Sequence, residues 1–253
     1  MFMENTFVKK FYIGINDVDA NRLLTPRATL LFLQDVATEH ANTEGFGYDH
    51  LMTVNRFWVL TKMKLVFLRA VKAYETLSVE TWPLEANKLY ADRDFVARDE
   101  SGKLVIKATS RWCVVDAIAR KLARTADVKD FVKLEHRTDR ALGDEQNNYL
   151  RVIPDDTFLP AYSLTTRWTD IDCNWHVNNT RYADFAINAV PHQTASQNTL
   201  VELEAHYSQE LKLNDTIQLL LKTENETSQV IGRGDDNVVR FSVRMKFAPK
   251  KLT

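Results

Sequence analysis

The feature that most limits how this chain can fold is an internal repeat, because the second half reads as a modified copy of the first. Three pairs of segments match in the same order: residues 17–37 with 170–190, 63–79 with 203–219, and 98–103 with 233–238. The shift between partners falls from 153 (17 to 170) to 140 (63 to 203) and 135 (98 to 233), as expected if the second copy has shorter connections. This order predicts two similar domains related by duplication.

Each copy opens with a short extended piece that is followed by a helix. In the first copy Thr25 is a typical N-cap, Pro26 suits the first helical position, and Gly45 follows the end of the helical pattern. Apolar residues recur there at helical spacing: Leu30, Leu33, Ala37 and Ala41, with Leu31 and Phe32 beside them. The pattern predicts a long and largely buried helix. In the second copy Asn178 or Asn179 can cap a helix that stops at Pro191.

Long strands are predicted after each helix. Apolar and polar residues alternate in four segments: 58–67, 103–115, 215–225 and 237–248. Since each helix precedes a run of strands and does not alternate with them, the fold class is predicted as α+β. Each half would wrap a curved antiparallel sheet around its helix, and the two sheets would join in one layer.

The duplication also sets the expected domain boundaries. The first repeat is predicted to span residues 1–130 and the second to span residues 158–253. Residues 131–157 between them are polar and weakly periodic, which is typical of a linker with at most one short helix.

The composition excludes several classes of function. Lys and Arg number 33 against 34 Asp and Glu, so the net charge is −1, whereas nucleic-acid-binding proteins usually carry a basic excess. The sequence contains no glycine-rich phosphate-binding motif, no G-x-S-x-G nucleophile turn and no H-E-x-x-H zinc motif. We therefore expect no nucleic-acid partner, no cofactor and no metal ion.

The cysteines and the N-terminal sequence favour a cytoplasmic protein. There are two cysteines, Cys113 and Cys173, without the spacing of a disulfide framework or a metal site. The first residues, MFMENTFVKKFYIG, lack the apolar core of a signal peptide, and no run approaches the roughly 18 apolar residues of a membrane span. We expect no membrane span and no disulfide.

The strongest candidate for a functional site lies in residues 169–182, TDIDCNWHVNNTRY. Polar side chains occupy alternate positions there: Asp172, Asn174 and His176. If the segment is extended, these three share one face and Cys173 and Trp175 share the other. The helix predicted to begin just after them adds free backbone N–H groups and a positive dipole end. Such a set can add water to a carbonyl group, with a base to take the proton and N–H donors for the oxyanion.

The repeat offers an internal comparison for this site. Leu23 of the first copy aligns with His176, and Ala70 aligns with Glu210. One copy therefore keeps an apolar version of the site while the other carries ionisable groups, which favours a function for the polar set. Asp and Asn also serve as turn and capping residues before helices, and that alternative stays open. Cys173 invites a nucleophile interpretation, but alternation places it opposite His176, as expected for a small buried residue.

The motif DIDCNWHVNNTRYADF resembles the signature of the acyl-acyl-carrier-protein thioesterase family of plants and bacteria. The resemblance continues through RFWVLTKMKLVFLRA, LSVETWPLEA, DFVARDESGKLVIKATSRWCVVD and LEAHYSQEL, so it covers nearly the whole chain. It implies a double hotdog fold, in which each repeat has a central helix wrapped by a curved antiparallel sheet. It also implies hydrolysis of the thioester between a fatty acyl chain and the phosphopantetheine arm of acyl carrier protein.

The resemblance assigns catalytic roles to four residues: Asp172, Asn174, His176 and Glu210. The backbone N–H groups of Val177 and Asn178 would hold the substrate carbonyl. Plant members carry a cysteine just after the catalytic Glu, where this chain has Leu211, so the resemblance implies carboxylate-activated or histidine-activated water rather than a thiol nucleophile. Plant members also carry a plastid transit peptide, and its lack here implies a bacterial cytoplasmic version.

Three other functions stay open at this point: an acyl-coenzyme A thioesterase, a hotdog hydroxyacyl dehydratase, and a non-enzymatic acyl-chain binding protein. The N-terminal repeat is expected to hold the acyl tail, with four residues as candidates for its wall: Leu31, Phe32, Val59 and Met63. Docking of the acidic carrier protein should use a local set of basic residues: Lys62, Lys64, Arg93, Lys107 and Arg111. The oligomeric state is left open, a homodimer included.

Overall fold

The structure is a computed structural model that describes residues 5–143, 149 and 152–250. The first half contains β1 (Phe7–Tyr12), α1 (Pro26–Thr43), α2 (Tyr48–Met52), β2 (Arg56–Phe67), β3 (Thr76–Pro83), β4 (Tyr90–Arg98), β5 (Leu104–Asp116), β6 (Lys121–Leu122) and α3 (Lys129–Val132). The second half contains β7 (Leu159–Thr165), α4 (Arg181–Ala189), α5 (His192–Gln197), β8 (Asn198–Tyr207), β9 (Thr216–Glu224), β10 (Thr227–Gly234) and β11 (Val239–Pro249).

All of these strands form one antiparallel sheet whose order reflects the duplication. The order is β1-β3-β4-β5-β2-β8-β11-β10-β9-β7, with β6 beside β5. Read outward from the centre, the strands that follow β2 correspond one by one to those that follow β8. The two halves join where β2 pairs with β8, from Lys62 opposite His206 to Val66 opposite Glu202. The predicted α+β class and the joined sheets are confirmed.

The duplication extends to individual hydrogen bonds. Three backbone hydrogen bonds of the first copy recur in the second. The N–H of Asp19 donates to the carbonyl of Leu23, as that of Asp172 does to His176. The N–H groups of Leu24 and Thr25 donate to Val71 and Asp17, as those of Val177 and Asn178 do to Leu211 and Asp170. These pairs use the shifts of 153 and 140 positions that the sequence comparison gave. The two copies can therefore be compared residue by residue around the candidate site.

Helix α1 begins and ends as its sequence predicts. The Thr25 hydroxyl accepts a hydrogen bond from the N–H of Ala28 at 3.1 Å, and Pro26 occupies the first helical position. Gly45, with a φ of 75°, follows the end of the helix. The predicted apolar stripe is buried, with Leu30 and Leu33 at 0% and 1% exposure, so that truncating either to alanine would cost about 2–5 kcal/mol.

The helices lie on one side of the sheet. Helix α1 packs against β1 and β3, α4 packs against β9, β10 and β11, and the two helices contact each other. Buried residues of both helices and both halves of the sheet belong to one continuous hydrophobic core. Each half is thus a helix held by a curved antiparallel sheet, which is the hotdog arrangement. Within the described ranges, no helix combines the length and the apolar character needed to cross a membrane.

The segment between the repeats begins with the short helix α3. After it, Arg137 lies over the ring of Trp82 at 3.9 Å and forms an ion pair with Glu80 at 2.7 Å. The N–H of Ala141 donates to Asp94 at 2.6 Å. The part of the predicted linker up to residue 143 is therefore packed on the first half, whereas Val152 packs with Leu220 and Ile231 of the second half. Residues 144–148, 150 and 151 lie outside the described residues.

Candidate active site

Residues 172–176 form a tight turn. The N–H of Asp172 donates to the carbonyl of His176 at 2.8 Å, and Trp175 has a φ of 64°. The Asp172 carboxylate accepts the N–H of Asn174 at 2.8 Å, a local bond that competes with an extended backbone. The predicted extended conformation, with polar and apolar residues on opposite faces, is wrong for this physical reason.

This turn brings His176 to Glu210. The Nε2 atom of His176 lies 2.9 Å from the Oε2 atom of Glu210. The contact follows from the backbone, because the N–H of Val177 donates to the carbonyl of Leu211 at 2.7 Å and so places the preceding residues side by side. The His176 side chain is 16% exposed and that of Glu210 is 45% exposed, so the pair is open to water on the carboxylate side.

The His176–Glu210 pair lines a cavity of about 740 Å³ that runs into the first half of the chain. The second repeat contributes polar residues to its wall: Asp172, Cys173, Asn174, His176 and Glu210. The first repeat contributes mostly apolar ones: Ala37, Ala41, Phe46, Phe57, Trp58, Val59, Leu60 and Phe131. Where the repeats meet, the side-chain amide of Gln34 donates to that of Asn179 at 2.6 Å.

Of the four residues predicted to line an acyl tunnel, only Val59 lies on the cavity wall. Met63 is fully buried in the central core, and Phe32 stacks on Phe11 with 4.6 Å between ring centroids. Leu31 does not line the cavity either. Helix α1 instead presents four other side chains to the cavity, which are small or polar: Gln34, Ala37, Thr38 and Ala41. Apolar character alone does not distinguish the side of a buried helix that faces core from the side that faces a cavity.

Asp172 shapes the turn in the same way as its counterpart in the first repeat. Asp172 accepts the N–H of Asn174 at 2.8 Å, and Asp19 accepts the N–H of Asn21 at 2.8 Å. The first repeat makes this turn without a His–Glu pair, so one oxygen of Asp172 has a structural role, as the turn-forming alternative proposed. Asp172 and the exposed Asn174 nevertheless both line the cavity.

The structure gives both of the predicted oxyanion donors a partner within the fold. The N–H of Val177 donates to Leu211 at 2.7 Å and the N–H of Asn178 donates to Asp170 at 2.8 Å, so both are already engaged. The N–H of Asn179 makes no hydrogen bond among the described residues. Asn179 occupies the place of Pro26 in the first repeat, where the backbone has no N–H to offer.

Cys173 is not on the opposite side from His176. It is exposed and lines the same cavity, because the segment turns where an extended strand was predicted. The imidazole contacts Glu210, as described above. Leu211, which directly follows Glu210, is fully buried.

Sequence reasoning missed two tyrosines of the cavity wall, Tyr182 and Tyr207. A signal was present for Tyr207, because it aligns with Phe67 and so marks another polar addition in the second repeat. Burial raises the pKa of the Tyr207 hydroxyl, which has no hydrogen-bond partner among the described residues. Tyr182 packs on Tyr207 with 5.6 Å between ring centroids.

None of the five basic residues predicted to dock a carrier protein is exposed. Arg93 and Lys64 are buried, and Arg111 is held by Asp92 at 2.7 Å. Lys62 and Lys107 are half-buried. Arg93 lies on the helix side of the sheet, where its guanidinium donates to His40 of α1 at 3.0 Å. On the other face the Tyr149 ring covers Lys62 and Arg111. In the part of the chain that the structure describes, no group of three or more His, Cys, Asp or Glu side chains is arranged to hold a metal ion.

Two family models match the chain in the order of its repeats. The model described as the acyl-ACP thioesterase N-terminal domain matches residues 4–133, and that of the C-terminal domain matches residues 158–244. The chain belongs to the acyl-ACP thioesterase family. The resemblance seen in the sequence motifs is thereby confirmed.

Named relatives of this acyl-ACP thioesterase family member include plant proteins. The oleoyl-acyl carrier protein thioesterase 1 of Arabidopsis thaliana, a chloroplastic protein, is 26% identical over 236 residues, covering 87% of this chain and 65% of that protein. The chloroplastic palmitoyl-acyl carrier protein thioesterase of Gossypium hirsutum is 24% identical over 244 residues, covering 91% of this chain and 58% of that protein. The chain thus spans less than two thirds of the length of each.

Two solved structures share the fold over nearly the whole length of this family member. An acyl-ACP thioesterase from Bacteroides thetaiotaomicron VPI-5482 superposes with a TM-score of 0.84 at 24% identity, covering 96% of this chain and 98% of that one. The 12:0-ACP thioesterase from Umbellularia californica superposes with a TM-score of 0.87 at 21% identity, covering 99% and 100%. The predicted double hotdog fold is confirmed.

Proposed function

We propose that this chain hydrolyses the thioester of a fatty acyl-acyl carrier protein to a free fatty acid and the carrier protein. The observation that carries the proposal is the His176–Glu210 pair, set at 2.9 Å on the wall of a largely apolar cavity. The first repeat has Leu23 and Ala70 at the same places, so the pair is an addition to the scaffold and not part of its core. Family membership supports the same reaction.

The chemistry requires a base more than it requires an acid. A thiol leaving group has a pKa of about 8.5, so it departs without a strong proton donor. Water held by Glu210 and His176 gives up a proton to this pair as its oxygen attacks the thioester carbonyl. The carbon–sulfur bond then breaks, and the proton passes to the departing thiolate. Contact with Glu210 orients the imidazole and stabilises its protonated form during the step.

The developing oxyanion needs hydrogen-bond donors that the fold has not already used. Candidates on the cavity wall are the side-chain amide of Asn174 and the N–H of Asn179, neither of which donates to a described residue. Asp172 holds the turn through one carboxylate oxygen, and its second oxygen is available to the attacking water. Donors aimed at the oxyanion in a partly closed cavity typically contribute about 3–4 kcal/mol each.

We propose that the two repeats divide the work. The second repeat, residues 158–253, supplies the reacting groups, and the first repeat, residues 1–130, holds the acyl tail. The apolar cavity wall contributed by the first repeat supports this division, since each methylene removed from water contributes about 0.8 kcal/mol.

The test is release of free thiol by the purified chain from a panel of substrates. Fatty acyl-acyl carrier protein, the matching acyl-coenzyme A, and a hydroxyacyl thioester are compared at equal concentrations. The proposal expects thiol release with the highest kcat/KM on the carrier-linked substrate. A preference for coenzyme A esters would indicate an acyl-coenzyme A thioesterase instead. Formation of an enoyl product without free thiol would indicate a dehydratase, and acyl binding without turnover would indicate a binding protein.

We further propose a cytoplasmic location, which the two unpaired cysteines, Cys113 and Cys173, support. Cell fractionation with an antibody against the chain tests it. A homodimer stays a prediction, and sedimentation of the purified chain measures it.

A further inference from the structure

One exposed segment at the mouth of the cavity carries several positive charges and no negative one. Residues 117–124, with the sequence AIARKLAR, form the turn between β5 and β6, strand β6 itself, and the two residues that follow; they are called the basic hairpin below. The basic hairpin contains three cationic residues, Arg120, Lys121 and Arg124, and no acidic residue. All three cations are exposed.

None of these three cations forms an ion pair with a described residue. The nearest acid along the chain, Asp116, is already engaged: it accepts the N–H groups of Ile118 and Ala119 and pairs with Arg56 at 2.7 Å. Asp127 on the other flank lies 3.7 Å from the same arginine. Arg56 therefore offsets part of the negative charge beside the basic hairpin, and the four cations of this region, namely Arg56 and the three of the hairpin, outnumber these two acids.

Large apolar side chains stand beside these cations. Ile118 is 76% exposed and Leu122 is 62% exposed. Exposing large apolar side chains to water is unfavourable, and apolar side chains surrounded by unpaired charges are typical of a surface that a partner covers. The combination fits a partner that presents acidic side chains around a smaller apolar area.

The basic hairpin is continuous with the candidate active site. Arg120 lines the same cavity as His176 and Glu210, although its side chain is exposed, so it lies at the mouth. Its φ is 53°, in the left-handed region where asparagine and glycine are the less costly choices. A partner bound on the hairpin would stand directly over the entrance.

We infer that the basic hairpin is the surface on which the acyl carrier protein docks. Lys121 and Arg124 pair with acidic side chains of the carrier, Ile118 and Leu122 cover its apolar area, and Arg120 meets the phosphodiester of the arm as it enters the cavity. The inference rests on the proposed function and adds the docking site to it. Acyl carrier proteins are acidic, and a chain with a net charge of −1 can attract one only through a local basic surface.

The test is the double charge reversal Lys121→Glu with Arg124→Glu in the full chain. Its matched control is Lys103→Glu with Lys10→Glu, two exposed lysines without ion pairs among the described residues. Lys103 directly precedes β5, whereas the basic hairpin follows it, so the two sites are about 40 Å apart along the strand. Both proteins are assayed on a lauroyl-acyl carrier protein and on lauroyl-pantetheine, which lacks the carrier and its phosphate.

We expect the hairpin reversal to raise KM for the carrier-linked substrate by roughly 10-fold or more, with kcat changed by less than about 2-fold. The control pair should match the parent, and the KM of the parent should rise with salt because exposed charges are screened over about 10 Å at 0.1 M. Equal KM values for parent and hairpin variant on the carrier-linked substrate would refute the docking site. An equal loss on lauroyl-pantetheine would also refute it, because that loss would come from the fold or the reacting groups.

A single change, Arg120→Asn, tests the entrance without straining the turn, since asparagine tolerates the left-handed backbone. It should raise KM for lauroyl-phosphopantetheine more than for lauroyl-pantetheine, and equal effects would remove Arg120 from the docking surface. If the parent releases no thiol from the carrier-linked substrate, the proposed function fails. If the parent does so and the hairpin variants behave like it, only the docking site fails.

Discussion

His176 and Glu210 face each other at 2.9 Å, whereas the residues at the same places in the first repeat are Leu23 and Ala70, which cannot form an ion pair. The backbone that holds the two pairs is the same, since Leu24 bonds to Val71 as Val177 bonds to Leu211. The ionisable pair is therefore not needed for the fold to form.

Removing either member of this pair should abolish most activity while leaving the protein folded. We expect His176→Ala and Glu210→Ala each to lower kcat by about 10²-fold or more, the scale of losing a positioned acid or base. The double variant should be little worse than either single one, because the groups act as a unit. The matched control is His192→Ala, at an exposed histidine outside the cavity, which should behave like the parent. Near-normal turnover in either single variant would remove that residue from the mechanism.

Two substitutions of Asp172 distinguish its structural role in the turn from a chemical role in the reaction. Asp172→Ala removes the acceptor that holds the turn at the N–H of Asn174 and should lower kcat by about 10²-fold or more. Asp172→Asn keeps a turn-forming oxygen but cannot act as a base, and we expect a comparable loss. Circular dichroism and thermal unfolding should show both variants folded. If the asparagine variant keeps the activity of the parent, Asp172 only positions the turn.

The exposed thiol of Cys173 should be dispensable. We expect Cys173→Ser to keep most of the activity, because His176 is engaged by Glu210 and water can reach the pair. Alkylation of the parent should inhibit through bulk alone, since Cys173 lines the cavity. An acyl group found on Cys173 by mass spectrometry during turnover would overturn the mechanism of direct hydrolysis.

The size of the cavity in the first repeat should set the preferred chain length. Ala37 and Val59 line it, so Ala37→Leu and Val59→Phe should shift the preference towards shorter acyl chains. Excluding two methylenes costs about 1.6 kcal/mol, which is a change of roughly 15-fold in relative kcat/KM. Phe32→Leu is the control, since Phe32 packs on Phe11 and not on the cavity. Loss of activity on all chain lengths alike would contradict the division between the repeats.

His40 should make the fold sensitive to mild acid. Burial, reinforced by the charge of Arg93, lowers the pKa of His40 to about 4 from its ordinary value of 6.5. The neutral ring receives a hydrogen bond from Arg93 at 3.0 Å and contacts Asn5 at 2.7 Å. As pH falls from 6.5 to 4, His40 becomes protonated in the unfolded chain while it stays neutral in the folded chain. The free energy of unfolding therefore decreases across this interval by on the order of 3 kcal/mol.

The measurement for His40 is urea unfolding at several pH values for the parent and His40→Gln. The variant should lose less stability than the parent between pH 6.5 and 4. Burial raises the pKa of Asp94 to about 6, which acts in the opposite direction over part of this interval, but it is present in both proteins. Parallel curves for the two proteins would show that His40 does not titrate as its surroundings indicate.

Much of the fold was predictable because it depends on local sequence. Thr25 and Pro26 fix the start of α1 through short-range geometry, and alternation fixes the strands. The domain boundaries at residues 130 and 158 stay a prediction. The tunnel wall was mispredicted at Met63 and Phe32, since a sequence pattern marks a residue as buried without telling whether core or cavity lies beside it.

The sequence by itself determined that the chain is a duplication, that its halves share one plan, and that only the second carries His176 and Glu210 in place of apolar residues. Tertiary structure alone decided that these two side chains meet, that residues 172–176 turn, and that the N–H groups of Val177 and Asn178 are used by the fold. The physical reason is that each of these facts depends on hydrogen bonds between segments distant in sequence, or on competition between a local turn and an extended strand. The periodicity of one segment indicates neither its hydrogen bonds to distant segments nor whether it turns or extends.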